Sequence, residues 1–290
     1  MKIVVKKANT ERFLLEEECD ATIDSIVEIC CDFDYLILKI ERICDEVSSL
    51  ATHGITISPS MQGLTLDQIV ELKLIDEYEA TCIPQGGHVI NKDDIGLRNG
   101  RAPKDEMKSV LIKCIEEVKL NIDRKRIVQG YVMKLEILEE CIRILKGAVS
   151  IVYPMGLPPY DPIRVELENK EDLEGKQASK EIINKSDATL WFCGKELLRG
   201  KKLSDFAGKN EKTKIVVKLS RKGGGPPARE PVVSENEKKA MMEYYYKRQQ
   251  EMKKLEENDE DNSHFESNWA DSQNLKRHFH GLSQVKWKPT

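Results

Sequence analysis

The chain has eight cysteines but no C-x-x-C pair among them. Cysteines 19, 30, 31, 44, 82, 114, 141 and 193 are scattered instead, mostly at apolar positions of predicted helices. Unpaired thiols in such a pattern indicate a reduced, cytosolic protein and not a disulfide-stapled one. Long apolar runs are also missing. No stretch approaches the roughly 18 apolar residues of a membrane-spanning helix, and the first residues alternate in the manner of a strand instead of forming the apolar core of a signal peptide. A soluble, intracellular protein with no membrane partner is expected. Net charge is only −4, so bulk electrostatics give no attraction to nucleic acid, and none is expected as a partner.

Catalytic signatures are missing as well. The sequence contains no G-x-S-x-G elbow, no Walker lysine and no glutamate-bearing zinc helix. His278 and His280 straddle Phe279, with His264 nearby, but residues two apart point away from each other on a helix and no cysteine lies close enough to complete a tetrahedral zinc site. Asp93 and Asp94 sit in a glycine-rich loop without the oxygen-ligand spacing of a calcium site. Cys141 and Cys193 suit buried packing better than nucleophilic attack. No catalytic residue, metal or cofactor is expected.

What is present reads as an α+β protein of 290 residues, 33% of them charged. In residues 1–54, KIVVKK and RFLLEEE alternate as a β-hairpin. A helix follows, capped by Thr22, with Asp24 in its first turn and Gly54 as its stop. The polar DFD at 32–34 is expected to interrupt it. This is how a β-grasp domain begins. Residues 55–147 form a helical middle region. Thr65 and Gln68 make a capping-box pair for a short helix, the segment from Cys82 to Asp105 reads as an ordered loop, and a long helix follows Pro103. Another helix ends at Lys146, with Gly147 as its stop.

Residues 148–222 read as a complete β-grasp, ubiquitin-like domain. AVSIVYP and PIRVELEN are its first two strands, joined by a proline turn. QASKEIINKSD supplies a helix, and TLWFCGKEL and TKIVVKLS the later strands. Ile151, Val165, Leu190, Phe192, Ile215 and Val217 are its expected core. Residues 223–233 are a linker, and 234–290 comprise a helix, an acidic run and an aromatic tail.

Two features of this last third suggest binding. Gly223–Gly225 resembles the terminal glycines of a protein modifier, but Pro226 and Pro227 follow, so the run reads as a flexible exit from the last strand. The outward face of that strand carries Lys214, Val216 and Lys218, with Trp191 where a ubiquitin-type patch would place an isoleucine. From Lys195 to Lys222 there are ten Lys or Arg against three acidic residues, enough for a local basic face. In the tail, Trp269, Phe279 and Trp287 offer large apolar side chains in a polar setting. These six residues, Trp191, Lys214, Lys218, Trp269, Phe279 and Trp287, are the candidate partner-binding set.

Several irregular stretches go further: GLTLDQIVELKLIDEYE, GGHVINKDDIGLRNGRAP, GAVSIVYPMGLPPYDPIRVELENKEDLEG, KKLSDFAGKNEKTKI, NWADSQNLKRHFHGL and KWKP. Together they resemble the Kurly-type cilia- and flagella-associated proteins, with a match running nearly end to end. That resemblance implies a non-catalytic adaptor or assembly factor for outer dynein arms and ciliary motility, connected with cilium positioning and planar polarity. It also implies a location in the cytoplasm, the cilium or flagellum and its basal body. Its partners would be dynein assembly factors or dynein subunits, with a contact to tubulin also open. A structural component resident in the axoneme and a ubiquitin-pathway binding protein are the competing readings.

Overall fold

The computed structural model describes residues 1–64, 66–227 and 235–261. The chain clusters into two units, Met1–Ala228 and Arg229–Thr290. The first unit begins as its alternation requires. β1 (Lys2–Lys7) and β2 (Thr10–Glu16) pair antiparallel, Val4 opposite Leu14, with an irregularity at Val5/Lys6. α1 (Ile23–His53) follows, with the Ser25 N–H donating to Thr22 Oγ1 at its start and the Gly54 N–H donating to the Leu50 carbonyl at its end.

α1 is not interrupted at residues 32–34. It runs unbroken for 31 residues because both of its sides are covered and its polar residues find partners. Phe33 meets Phe13 edge-on, ring centroids 5.7 Å apart. Asp34 is buried but accepts a hydrogen bond from Lys7 Nζ at 2.6 Å, with Arg12 Nε 3.5 Å from its other oxygen.

The next elements are α2 (Leu66–Glu71), a short ribbon of β3 (His88–Ile90) and β4 (Arg101–Pro103), α3 (Asp105–Ile122), α4 (Lys125–Val128) and α5 (Leu135–Val152). The expected loop between Cys82 and Asp105 thus contains a two-stranded ribbon. The expected helix stop at Gly147 also fails. α5 passes through it because Leu145, Ala148, Val149 and Val152 continue the buried stripe of Leu138 and Cys141. α3 and α5 pack on each other and on α1.

The two strands expected at 148–154 and 162–169 are helices. The first is the last turn of α5, with Ile151 54% exposed instead of in a core. The second is α6 (Pro162–Leu167), with Val165 half-buried. An Asp-Pro start outweighs the alternation there. Pro162 occupies the first turn, and buried Asp161 accepts from the Ile163 N–H through one oxygen and the Thr56 N–H through the other. α7 (Gln177–Glu181) covers part of the expected QASKEIINKSD helix.

The remaining elements of this unit are β5 (Ala188–Phe192), β6 (Lys195–Glu196), α8 (Ser204–Ala207) and β7 (Lys214–Arg221). They do not close a separate domain with residues 148–187. β7 lies between β1 and β5, parallel to the first and antiparallel to the second, giving a five-stranded sheet of order β2-β1-β7-β5-β6. This is the strand order of a β-grasp sheet, with a parallel pair at its centre. The sheet is therefore shared between the chain's first 16 residues and its last strands, and residues 54–187 are an insertion. α1 lies across one face, burying Ile3, Val5, Phe13, Leu15, Leu190, Ile215 and Val217 in the same core. Phe192 packs at its margin. The layers run sheet, α1, then the α3/α5 pair.

In the second unit, α9 (Glu235–Asp261) carries Met241, Tyr245 and Met252 exposed along its stripe.

Candidate partner-binding surface

The face of the sheet turned away from α1 is built by alternation. On β7, Ile215, Val217 and Leu219 face the core, which sends Lys214, Val216 and Lys218 the other way. Trp191 of β5 lies directly opposite Lys218. The structure thus brings together three of the six candidate residues. Trp269, Phe279 and Trp287 lie outside the described residues, as do His264, His278 and His280.

Register adds two residues that sequence reading missed. Lys2 is opposite Lys214, and Lys6 is opposite Lys218, across the parallel β1–β7 pair. The signal was present in the alternation of KIVVKK, but it becomes informative only once β1 is known to adjoin β7. Between the two lysine rows lie Val4 and Val216. Val4 is sealed with Leu14 under Ile127 and Val132, whereas Val216 is 44% exposed. Carboxylates keep to the margins of this face. Glu16 is opposite Lys2, Glu11 is 3.7 Å from Lys6, and Glu196 is opposite Trp191. The indole N–H of Trp191 is buried without a hydrogen-bond partner, an unusual state for that group.

The ribbon carries a second surface. The Asp93 carboxylate accepts from the backbone N–H groups of Ile95, Leu97 and Arg98, and these bonds prevail over its partial burial to hold it below the usual carboxylate range. Arg98 is buried and donates to the Gly54 carbonyl and to Glu46. So fixed, the loop keeps Val89, Ile90 and Ile95 exposed, the last two by 84% and 77%. Asp93 is thereby engaged with the chain's own backbone.

Other polar groups hold the insertion to α1. Lys39, 1% exposed, donates to Glu171 Oε1 and to Asn169, each at 2.7 Å. Tyr35 donates to the same Glu171 oxygen at 2.6 Å. Burial alone would raise the Glu171 carboxyl, but those two donors hold it below the usual range. Arg42 donates to Glu166 at 3.0 Å, yet burial wins there and Glu166 is raised.

The cysteines are all free. Burial pushes Cys31 up to about 11 and Cys44 up to about 12, so both are protonated and poorly nucleophilic at neutral pH. Cys141 is buried as expected, but Cys193 is exposed, because the β5–β6 turn lifts it away from the core at φ 48°. Among the described residues no three His, Cys, Asp or Glu side chains gather where a metal ion could be held, and no helix is long and apolar enough to cross a membrane.

A family model described as cilia- and flagella-associated protein 298 matches residues 188–285. The chain is 53% identical over 289 residues to cilia- and flagella-associated protein 298 of Danio rerio, covering 100% of this chain and 99% of that one. It is 51% identical over 286 residues to the Homo sapiens protein of that name, covering 98% of each. Identity to the Drosophila melanogaster protein is 44% over 284 residues, covering 98% and 97%. No solved structure matches.

Proposed function

Since the chain belongs to the cilia- and flagella-associated protein 298 family, we propose that it serves motile cilia as a non-catalytic adaptor in the assembly of outer dynein arms. The observation that carries this reading is the near full-length identity to proteins named for cilia and flagella. Two exposed surfaces of the first unit support it, the lysine- and tryptophan-bearing sheet face and the braced apolar loop. Two surfaces on one body can hold a dynein subunit and an assembly factor together, raising the effective concentration of one for the other. In this reading the protein works in the cytoplasm and around the basal body before the arms enter the cilium.

Loss of the protein should leave cilia present but poorly motile, with outer arms reduced in electron micrographs and dynein heavy chains unassembled in the cytoplasm. Normal arms together with normal cytoplasmic dynein complexes would sink the reading. A second reading, a component resident in the axoneme, is favoured by the lysine-rich face, which could meet the acidic surface of tubulin. Salt-washed axonemes separate the two: a resident protein stays with them and an assembly factor does not.

A further inference from the structure

The two-stranded ribbon ends in an open edge, and from it we infer that two copies of the chain join through β3, antiparallel, about a two-fold axis at Val89. The inference goes beyond the adaptor reading and holds equally for a protein resident in the axoneme. β4 packs on α1 and α3, which leaves β3 as the outer strand of the ribbon. Val89 lies opposite Ala102, and the Asn91 N–H donates to the Gly100 carbonyl at 2.7 Å. Alternation along an antiparallel ladder therefore turns the N–H and C=O groups of His88 and Ile90 outward. Arg101, opposite Ile90, accordingly donates its N–H to Asn99 Oδ1 and not to β3. Beyond β4, no described residue bonds to the backbone of His88 or Ile90.

Exposed edges are normally blunted by lysine, proline, a bulge or shortness. HVI has only the last of these, and its three residues are all exposed. The outward groups are self-complementary. With the axis at Val89, His88 meets Ile90 of the second copy, and each such pair exchanges two main-chain hydrogen bonds. Val89 meets its own counterpart as a non-hydrogen-bonded pair, in which side chains lie closest. Charge agrees with this register. Continued by two residues, it brings exposed Lys92 beside Gly86 of the second copy, which lines a groove with exposed Asp105 and Glu106. None of these three charged groups has an ion-pair partner within its own copy among the described residues. Lys104, the one cation among the described residues of that groove, lies by Gly87, which faces uncharged Asn91 across the junction. A three-residue strand with such flanks buries less than the roughly 1,200 Å² of a standard interface, so the dimer is weak and concentration-dependent.

The test is sedimentation equilibrium of the purified full chain from low to high micromolar concentration, over which monomer should give way to dimer. Ile90→Pro removes an outward N–H and none that β4 uses, so the fold should persist while dimerisation weakens at least about ten-fold. Lys92→Glu should weaken it at least about three-fold, and Lys209→Glu, the same charge change on an exposed lysine of the loop after α8, less than about two-fold. If Ile90→Pro melts early, amide exchange read by NMR takes its place. The His88 and Ile90 amides should slow as the parent chain is concentrated, while the Val89 amide, turned toward β4, changes little. A monomer at every concentration, a folded Ile90→Pro that dimerises like the parent, equal effects of Lys92→Glu and Lys209→Glu, or His88 and Ile90 amides indifferent to concentration would each overturn the inference. Slowing of those amides by a valine-threonine hexapeptide in a chain that stays monomeric would also overturn it, and assign the edge to a partner's strand.

Discussion

Lys39 sits between Leu38 and Ile40 in an apolar run, and nothing in its neighbours reveals that it is buried. Its environment is made by Glu171 and Asn169, more than a hundred residues away. The same holds for Arg42 with Glu166, and Asp34 finds Lys7 across 27 residues. Local periodicity reports which face is apolar, not which polar side chain will find a distant partner. Glu171→Gln should lower stability at neutral pH by about 3 kcal/mol, because it leaves the buried ammonium of Lys39 uncompensated. Acid titration adds a signature. Glu171 lies below its ordinary value of 4.5 in the folded chain, so its contribution is present above that value and is lost as pH falls through the lower, folded one. Glu166 is raised, so its contribution has the opposite sign, present below 4.5 and lost as pH rises through its folded value. Urea midpoints from pH 3 to 7 should therefore rise less steeply with pH in Glu171→Gln than in the parent chain. Gly54→Ala tests a different residue-level demand. Gly54 has φ 81°, and an added Cβ would lie 2.6 Å from Asn99 Oδ1 and closer still to the Arg101 carbonyl, so a marked drop in melting temperature is expected.

Among elements, the hairpin, the two ends of α1, α3 and β7 were legible because their apolar periods are long and their ends are marked by Thr22, Gly54 and Pro103, whereas the unbroken course of α1 through residues 32–34 was not. The two strands expected in 148–169 were not, because a short apolar run fits a strand or a buried helix equally well. What decided against them were the Asp161–Pro162 helix start and the stripe of α5 continuing past Gly147. That glycine sits mid-helix with nothing near the position of a Cβ. Gly147→Ala should consequently stabilise the chain by about 0.5–1 kcal/mol, read as a higher denaturant midpoint with unchanged slope. Of the candidate surface, Trp191, Lys214 and Lys218 were legible from the alternation of β5 and β7. Lys2 and Lys6 were not, since a strand's sequence does not name its neighbour.

For the whole molecule, the sheet joins what the sequence reading separated. Residues 148–222 alone contain β5, β6 and β7 but neither β1, which pairs along one side of β7, nor α1, which covers the core face. Expressed as a fragment, they should show no cooperative thermal transition, and adding residues 1–54 as a separate chain should restore one if the two pieces associate. A cooperative transition in the 148–222 fragment by itself would show that the shared sheet is not required.

The shared sheet also fixes an order of events during synthesis. β1 leaves the ribosome first, and its parallel neighbour β7 more than two hundred residues later. At ordinary elongation rates of about 5–20 residues per second, the hairpin waits on the order of 10–40 s with one edge unpaired. Over that interval only α1 and the growing insertion can cover its apolar face. A premature stop anywhere before Lys214 would leave that edge open permanently, so even a late nonsense allele should yield a chain handed to chaperones and degraded, not a shortened protein with partial function.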